Sequence, residues 1–183
     1  MSRILMEICC GSADDVIQAE KGGADRVELN SNLFQGGLTP SIGMLEVVKR
    51  YVSIPVMTMV RPRAGGFCYT DVEFETAKAD AHALLLGGAD GLVFGFLHED
   101  GTVDEKRTRE MVSLCQGKPA VFHRALDVTP DWKRALDSLI RLGVTRVLTS
   151  GQASYVFFAL DTIAEMIRFV DGAMEILPGA GIT

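Results

Sequence analysis

Cysteine is scarce in this chain: its 183 residues include four, Cys9, Cys10, Cys68 and Cys115, with no CxxC pair among them. So few thiols exclude a disulfide framework in a chain of this size, and the spacing excludes the usual zinc and redox motifs. They read as reduced thiols. No stretch reaches the roughly 18 uninterrupted apolar residues of a membrane span, and the start MSRILMEICC lacks the long apolar core and cleavage site of a secretory leader. A cytoplasmic protein is expected. Basic runs are missing as well. With a net charge of −6 and scattered Lys and Arg, neither nucleic acid nor an anionic membrane is the expected partner, because both need clustered cations. A small molecule, an ion or another protein remains. Linkers and low-complexity tracts are absent too, so residues 1–183 read as one globular domain.

What the chain does have is a repeat. Short β-branched runs alternate with longer stretches of helical periodicity along its whole length. The spacing predicts strands at 5–9, 26–30, 55–60, 91–97, 120–124, 146–150 and 174–177, with a helical segment in each of the six gaps. One unit takes about 28 residues, close to the roughly 31 of an eight-unit (β/α) barrel. The joints repeat too, as Gly22-Gly23-Ala24-Asp25, Gly87-Gly88-Ala89-Asp90 and Leu142-Gly143-Val144-Thr145, where glycine supplies the left-handed residue that ends a helix. Helix starts are marked by Thr39-Pro40-Ser41, Thr70-Asp71 and Thr129-Pro130-Asp131.

Alternating β and α units leave two candidates, a closed barrel and an open doubly wound sheet. Ionisable residues inside the predicted strands decide for the barrel, whose upper interior is where active sites form. Glu7, Glu28, Arg61 and His123 all fall there, expected at or near the C-terminal ends of their strands. The predicted fold is therefore an α/β, TIM-like (β/α) barrel of about seven strands, because the text stops just past the seventh, at Leu177-Pro178-Gly179-Ala180-Gly181-Ile182-Thr183. A seven-stranded arc leaves strand edges and apolar surface uncovered, so this chain alone is expected to self-associate into a homo-oligomer or to be poorly stable.

The polar array suggests acid–base chemistry. Glu7 and Glu28 are placed to share a proton or act as a general base. Arg61 is the expected clamp for a carboxylate or phosphate, and His123 an acid–base group with Asp127 as its orienting partner. Ser150 and the Gly179–Gly181 turn occupy the side of the barrel where phosphate sites recur. An alternative is that Glu28–Arg61 and His123–Asp127 are structural ion pairs.

Seven blocks in order, including Met6-Glu7-Ile8-Cys9, Gly23-Ala24-Asp25-Arg26-Val27-Glu28-Leu29, Gly36-Gly37-Leu38-Thr39-Pro40-Ser41, Arg61-Pro62-Arg63, Phe67-Cys68-Tyr69, Phe122-His123-Arg124-Ala125-Leu126-Asp127 and Arg146-Val147-Leu148-Thr149-Ser150-Gly151-Gln152, resemble the CutC family of copper homeostasis proteins. The resemblance implies a TIM-like barrel, a cytoplasmic location, a homo-oligomer and copper(I) binding. Two departures stand out. Asn30 occupies a position where many family members carry cysteine, and the eighth unit of the family is absent from the sequence.

Thiolates select copper(I), and adjacent Cys9 and Cys10 point to opposite faces of a strand, so they cannot share one ion. Cys9 and Cys68 are the candidate metal ligands, whereas Cys10 and Cys115 read as small buried hydrophobes. Two readings remain: a copper-binding protein using Cys9 and Cys68, and a barrel enzyme acting on a small anionic metabolite through Glu7, Glu28, His123 and Arg61.

Overall fold

A computed structural model describes residues 4–182. Strand and helix alternate throughout: β1 (Glu7–Cys10), α1 (Ala13–Lys21), β2 (Arg26–Leu29), α2 (Ile42–Tyr51), β3 (Val56–Met59), α3 (Asp71–Leu86), β4 (Gly91–Phe94), α4 (Glu105–Leu114), β5 (Ala120–Phe122), α5 (Trp132–Arg141), β6 (Arg146–Thr149), α6 (Leu160–Val170) and β7 (Glu175–Pro178). Each of the seven predicted strands is present, and the class is the expected α/β, TIM-like (β/α) barrel. Among the described residues no helix is long and apolar enough to cross a membrane.

The chain divides into two compact units. One comprises the chain through Gly65 together with Asp71–Val93; the other comprises Gly66–Thr70 and the chain from Phe94 onward. In the first, parallel pairing runs in chain order, with Ile8 opposite Val27, Val27 opposite Val56 and Thr58 opposite Leu92. In the second, Val121 lies opposite Arg146 and Val147 opposite Ile176, again parallel. Every residue of β2, β3 and β4 is buried, as expected for parallel strands covered on both faces. In β1, Ile8 and Cys9 are exposed, and β7 is only partly covered.

Local chemistry sets the helix ends. Ser12 Oγ accepts from Asp15 N at 3.1 Å and Ser41 Oγ from Met44 N at 3.1 Å, while Asp131 Oδ1 takes both Lys133 N and Arg134 N. The repeated joints end helices as the sequence predicts: Gly23, Gly88 and Gly143 all have positive φ, between 83° and 97°.

One placement corrects the sequence reading. Glu7 was expected near the C-terminal end of its strand, yet it is the first residue of β1 and lies opposite Arg26, the first residue of β2. Their side chains form an ion pair, 3% and 7% exposed respectively. The same device recurs in the second unit, where Arg146 Nε donates to Glu175 Oε2 at 2.8 Å across the first residues of β6 and β7. The strand starts are thus held by charge pairs in parallel register. Removing Arg26 takes the cation away from a buried carboxylate, so Arg26→Ala is predicted to cost about 3–5 kcal/mol, read from the urea midpoint. A loss under about 1 kcal/mol would show that the pair holds nothing.

Candidate functional site

In the first unit the strand ends bring two candidate groups together. Cys9 and Glu28 are register partners on β1 and β2, and the Cys9 thiol donates to Glu28 Oε1 at 3.7 Å. Glu28 is 2% exposed. Its Oε1 also accepts from Asn30 Nδ2 at 3.0 Å, so the amide one step beyond β2 fixes the carboxylate. Gly37 packs directly on that amide, where any Cβ would collide with Asn30 Oδ1.

These neighbours act on the thiol. Desolvation, then the Glu28 and Glu7 carboxylates, push Cys9 well above the ordinary thiol range. Cys10 is fully buried and pushed up to about 12 by burial, Asp15 and Glu28; Cys115, also buried, is pushed up to about 11 by burial. Both match the sequence reading of small buried hydrophobes. Cys9 and Cys68 are the two exposed cysteines.

Arg61 sits just past β3, buried, and its guanidinium is turned to the main chain. Nη1 donates to Gln35 O at 2.8 Å and Gly37 O at 3.0 Å, and Nη2 to Gly65 O at 2.7 Å. Thr39 adds a reciprocal pair, its N donating to Arg61 O and its Oγ1 accepting from Arg61 N. The residue expected from sequence to clamp an anion therefore ties two loops together, because helix-free turns leave carbonyls that need donors. Arg63 is likewise engaged, by both carboxylate oxygens of Glu73 at 2.5 and 3.1 Å.

In the second unit His123 follows β5 and is 4% exposed. Its Nδ1 accepts from Ala125 N at 3.1 Å, capping the short 3-10 turn Arg124–Val128. A ring nitrogen that accepts carries no proton, so the neutral imidazole bears its proton on Nε2. The Phe67 ring lies 4.9 Å from the His123 ring, centroid to centroid. Gly95 makes room for it, since a Cβ there would overlap the imidazole and the Ala125 methyl. The Phe67 loop, which also carries Cys68, is held by Leu97 N on Phe67 O and by Arg107 Nη1 on Tyr69 O at 2.6 Å.

Asp127 does not orient His123. The 3-10 turn swings it to the end of β6, where it accepts from Arg124 Nε at 2.8 Å, Thr149 Oγ1 at 2.5 Å, Ser150 N at 3.1 Å and Gln152 N at 3.2 Å. Ser150, fully buried, lies 2.9 Å from Asp127 through its hydroxyl and accepts from Arg124 Nη2 at 2.8 Å. Gly179 N donates to Thr149 O at 2.9 Å, and Gly181, with φ of 85°, lies against the Tyr155 ring. Ser150 and the Gly179 amide, two of the donors expected to hold a phosphate, are thus bonded within the chain.

Sequence reasoning missed Asn30 as the support of Glu28, Gly95 as the space for His123, and Arg124 as a bridge. Two signals were present: the two-residue spacing that puts Glu28 and Asn30 on one strand face, and Gly95 as an isolated glycine in an apolar run. Among the described residues, no group of three or more His, Cys, Asp or Glu side chains is placed to hold a metal ion.

The CutC family profile matches residues 4–183. The chain belongs to the CutC family. It is 54% identical over 183 residues to a CutC family protein of Treponema denticola, covering all of this chain and 74% of that one. It is 48% identical over 179 residues to the human copper homeostasis protein cutC homolog, covering 98% of this chain but 66% of the human protein. The chain thus spans about two thirds to three quarters of these relatives. The crystal structure of CutC from Streptococcus agalactiae superposes with a TM-score of 0.94 at 34% identity, covering 99% of this chain and 90% of that one.

The electrostatics of Cys9 have a direct consequence. A thiol held above its ordinary range stays protonated at neutral pH, so iodoacetamide should label Cys9 slowly and ever faster as pH rises past 9. A rate that levels off near pH 8 would contradict this placement of Cys9 beside Glu28.

Proposed function

We propose that this CutC family chain serves copper homeostasis in the cytoplasm by binding copper(I) as cargo, with Cys9 the principal ligand. The observation that carries the reading is Cys9 itself, an exposed thiol at a strand end against the buried Glu28 carboxylate. That carboxylate opposes a bare thiolate, but it favours a thiolate bearing a monovalent cation, because the added positive charge meets the same field. Soft sulfur selects copper(I), and a reducing compartment keeps the thiols free. The name of the human relative supports the direction. Self-association into a homo-oligomer belongs to the same reading, supported by exposed apolar residues such as Phe158 and Leu160.

A second reading is favoured by Glu28 and His123, each buried at the C-terminal end of a parallel strand. It is an acid–base enzyme acting on a small anionic metabolite, with either residue as a proton carrier.

Copper(I) should displace the Cys9 proton. Chelator competition on reduced protein should show affinity rising about tenfold per pH unit between pH 6 and 8. Cys9→Ser should weaken binding at least about 100-fold. Binding unaffected by Cys9→Ser would overturn the copper reading, and a function lost with Glu28→Gln or His123→Asn but kept with the cysteine variants would favour the enzyme.

A further inference from the structure

The strand ends of this chain carry three arginines, Arg61, Arg63 and Arg124, and their surroundings differ in kind. Arg61 is 6% exposed and donates to three main-chain carbonyls. Arg63 forms a two-point pair with Glu73. Arg124 is held along one edge only, Nε on Asp127 Oδ2 and Nη2 on Ser150 Oγ, each at 2.8 Å. Its side chain is 42% exposed, and Nη1 makes no hydrogen bond among the described residues.

We propose that Arg124 is an anion-binding residue, presenting its Nη1 side to a carboxylate or phosphate group of a small ligand; the inference deepens the second reading above. Three features support it. A guanidinium fixed at Nε and Nη2 keeps its plane, so the two-point geometry that matches a planar or tetrahedral oxyanion is set beforehand. The Asp127 carboxylate that pairs with Arg124 Nε is held in place by further donors. It also accepts from Thr149 Oγ1, Ser150 N and Gln152 N, a turn that forms an anion nest filled from within the chain. Lastly, the position is right: Arg124 directly follows His123, and both lie past the C-terminal end of β5. A ligand held there would meet the turn that His123 caps.

The test titrates inorganic phosphate and, separately, malonate into the purified chain by calorimetry, with Arg124→Gln and Arg63→Gln as variants. Binding of either probe should weaken about tenfold or more in Arg124→Gln and stay unchanged in Arg63→Gln. A preference between the probes assigns the ligand as a phosphate or a carboxylate. Equal binding by Arg124→Gln would mean an adventitious ion only, overturning this inference while sparing the anionic-metabolite reading. Binding of neither probe would overturn both. Should Arg124→Gln fold poorly, butanedione modification of the native chain supplies the second readout. Arg124 should be modified and protected by the bound probe, and modification without protection would overturn the assignment.

Discussion

A buried charge must find partners, and in this chain the partners at the strand ends are largely main-chain groups. Arg61 collects carbonyls from two loops of the first unit. Asp127 collects amides from one loop of the second. Hydrogen bonds to charged groups are worth more than neutral ones, and an orphaned ion in the interior is costly, so each charge and its loop enforce one another. The loops can then stay short and turn tightly, with Gly37 closing on Asn30 and Gly95 leaving space for His123.

The pattern of the fold was legible in the sequence because parallel strands buried on both faces read as continuous apolar runs. Helix ends were legible because glycines and Ser or Asp caps act locally. Boundaries were less so: the run at 91–97 reads as one strand, yet β4 ends at Phe94 because Gly95 accommodates a side chain from elsewhere. Pairings were the least legible. Glu28 and His123 were found as candidates, but the partner of Arg61 is a set of carbonyls, which no residue letter reveals. Asp127 follows His123 by four residues, a helical spacing, but a 3-10 turn carries it away to β6. Glu7 has the composition of a site residue and is instead one half of a strand-start ion pair.

Membership of the CutC family and the electrostatics of Cys9 meet in one question. The carboxylate nearest the thiol makes it a poor free nucleophile at neutral pH. In this chain Asn30, a neutral amide, stands beside that pair, holding Glu28 rather than offering sulfur. The two units thus differ in chemistry: the first presents sulfur and a carboxylate, the second an imidazole and a guanidinium.

Internal charges organise the strand-end loops, and amide hydrogen exchange tests this most directly at Asp127. In the native chain the Ser150 and Gln152 amides should be protected. Asp127→Asn should lose that protection locally, while the amides of β2 and β3 keep theirs. Unchanged exchange at Ser150 and Gln152 in the variant would contradict the account.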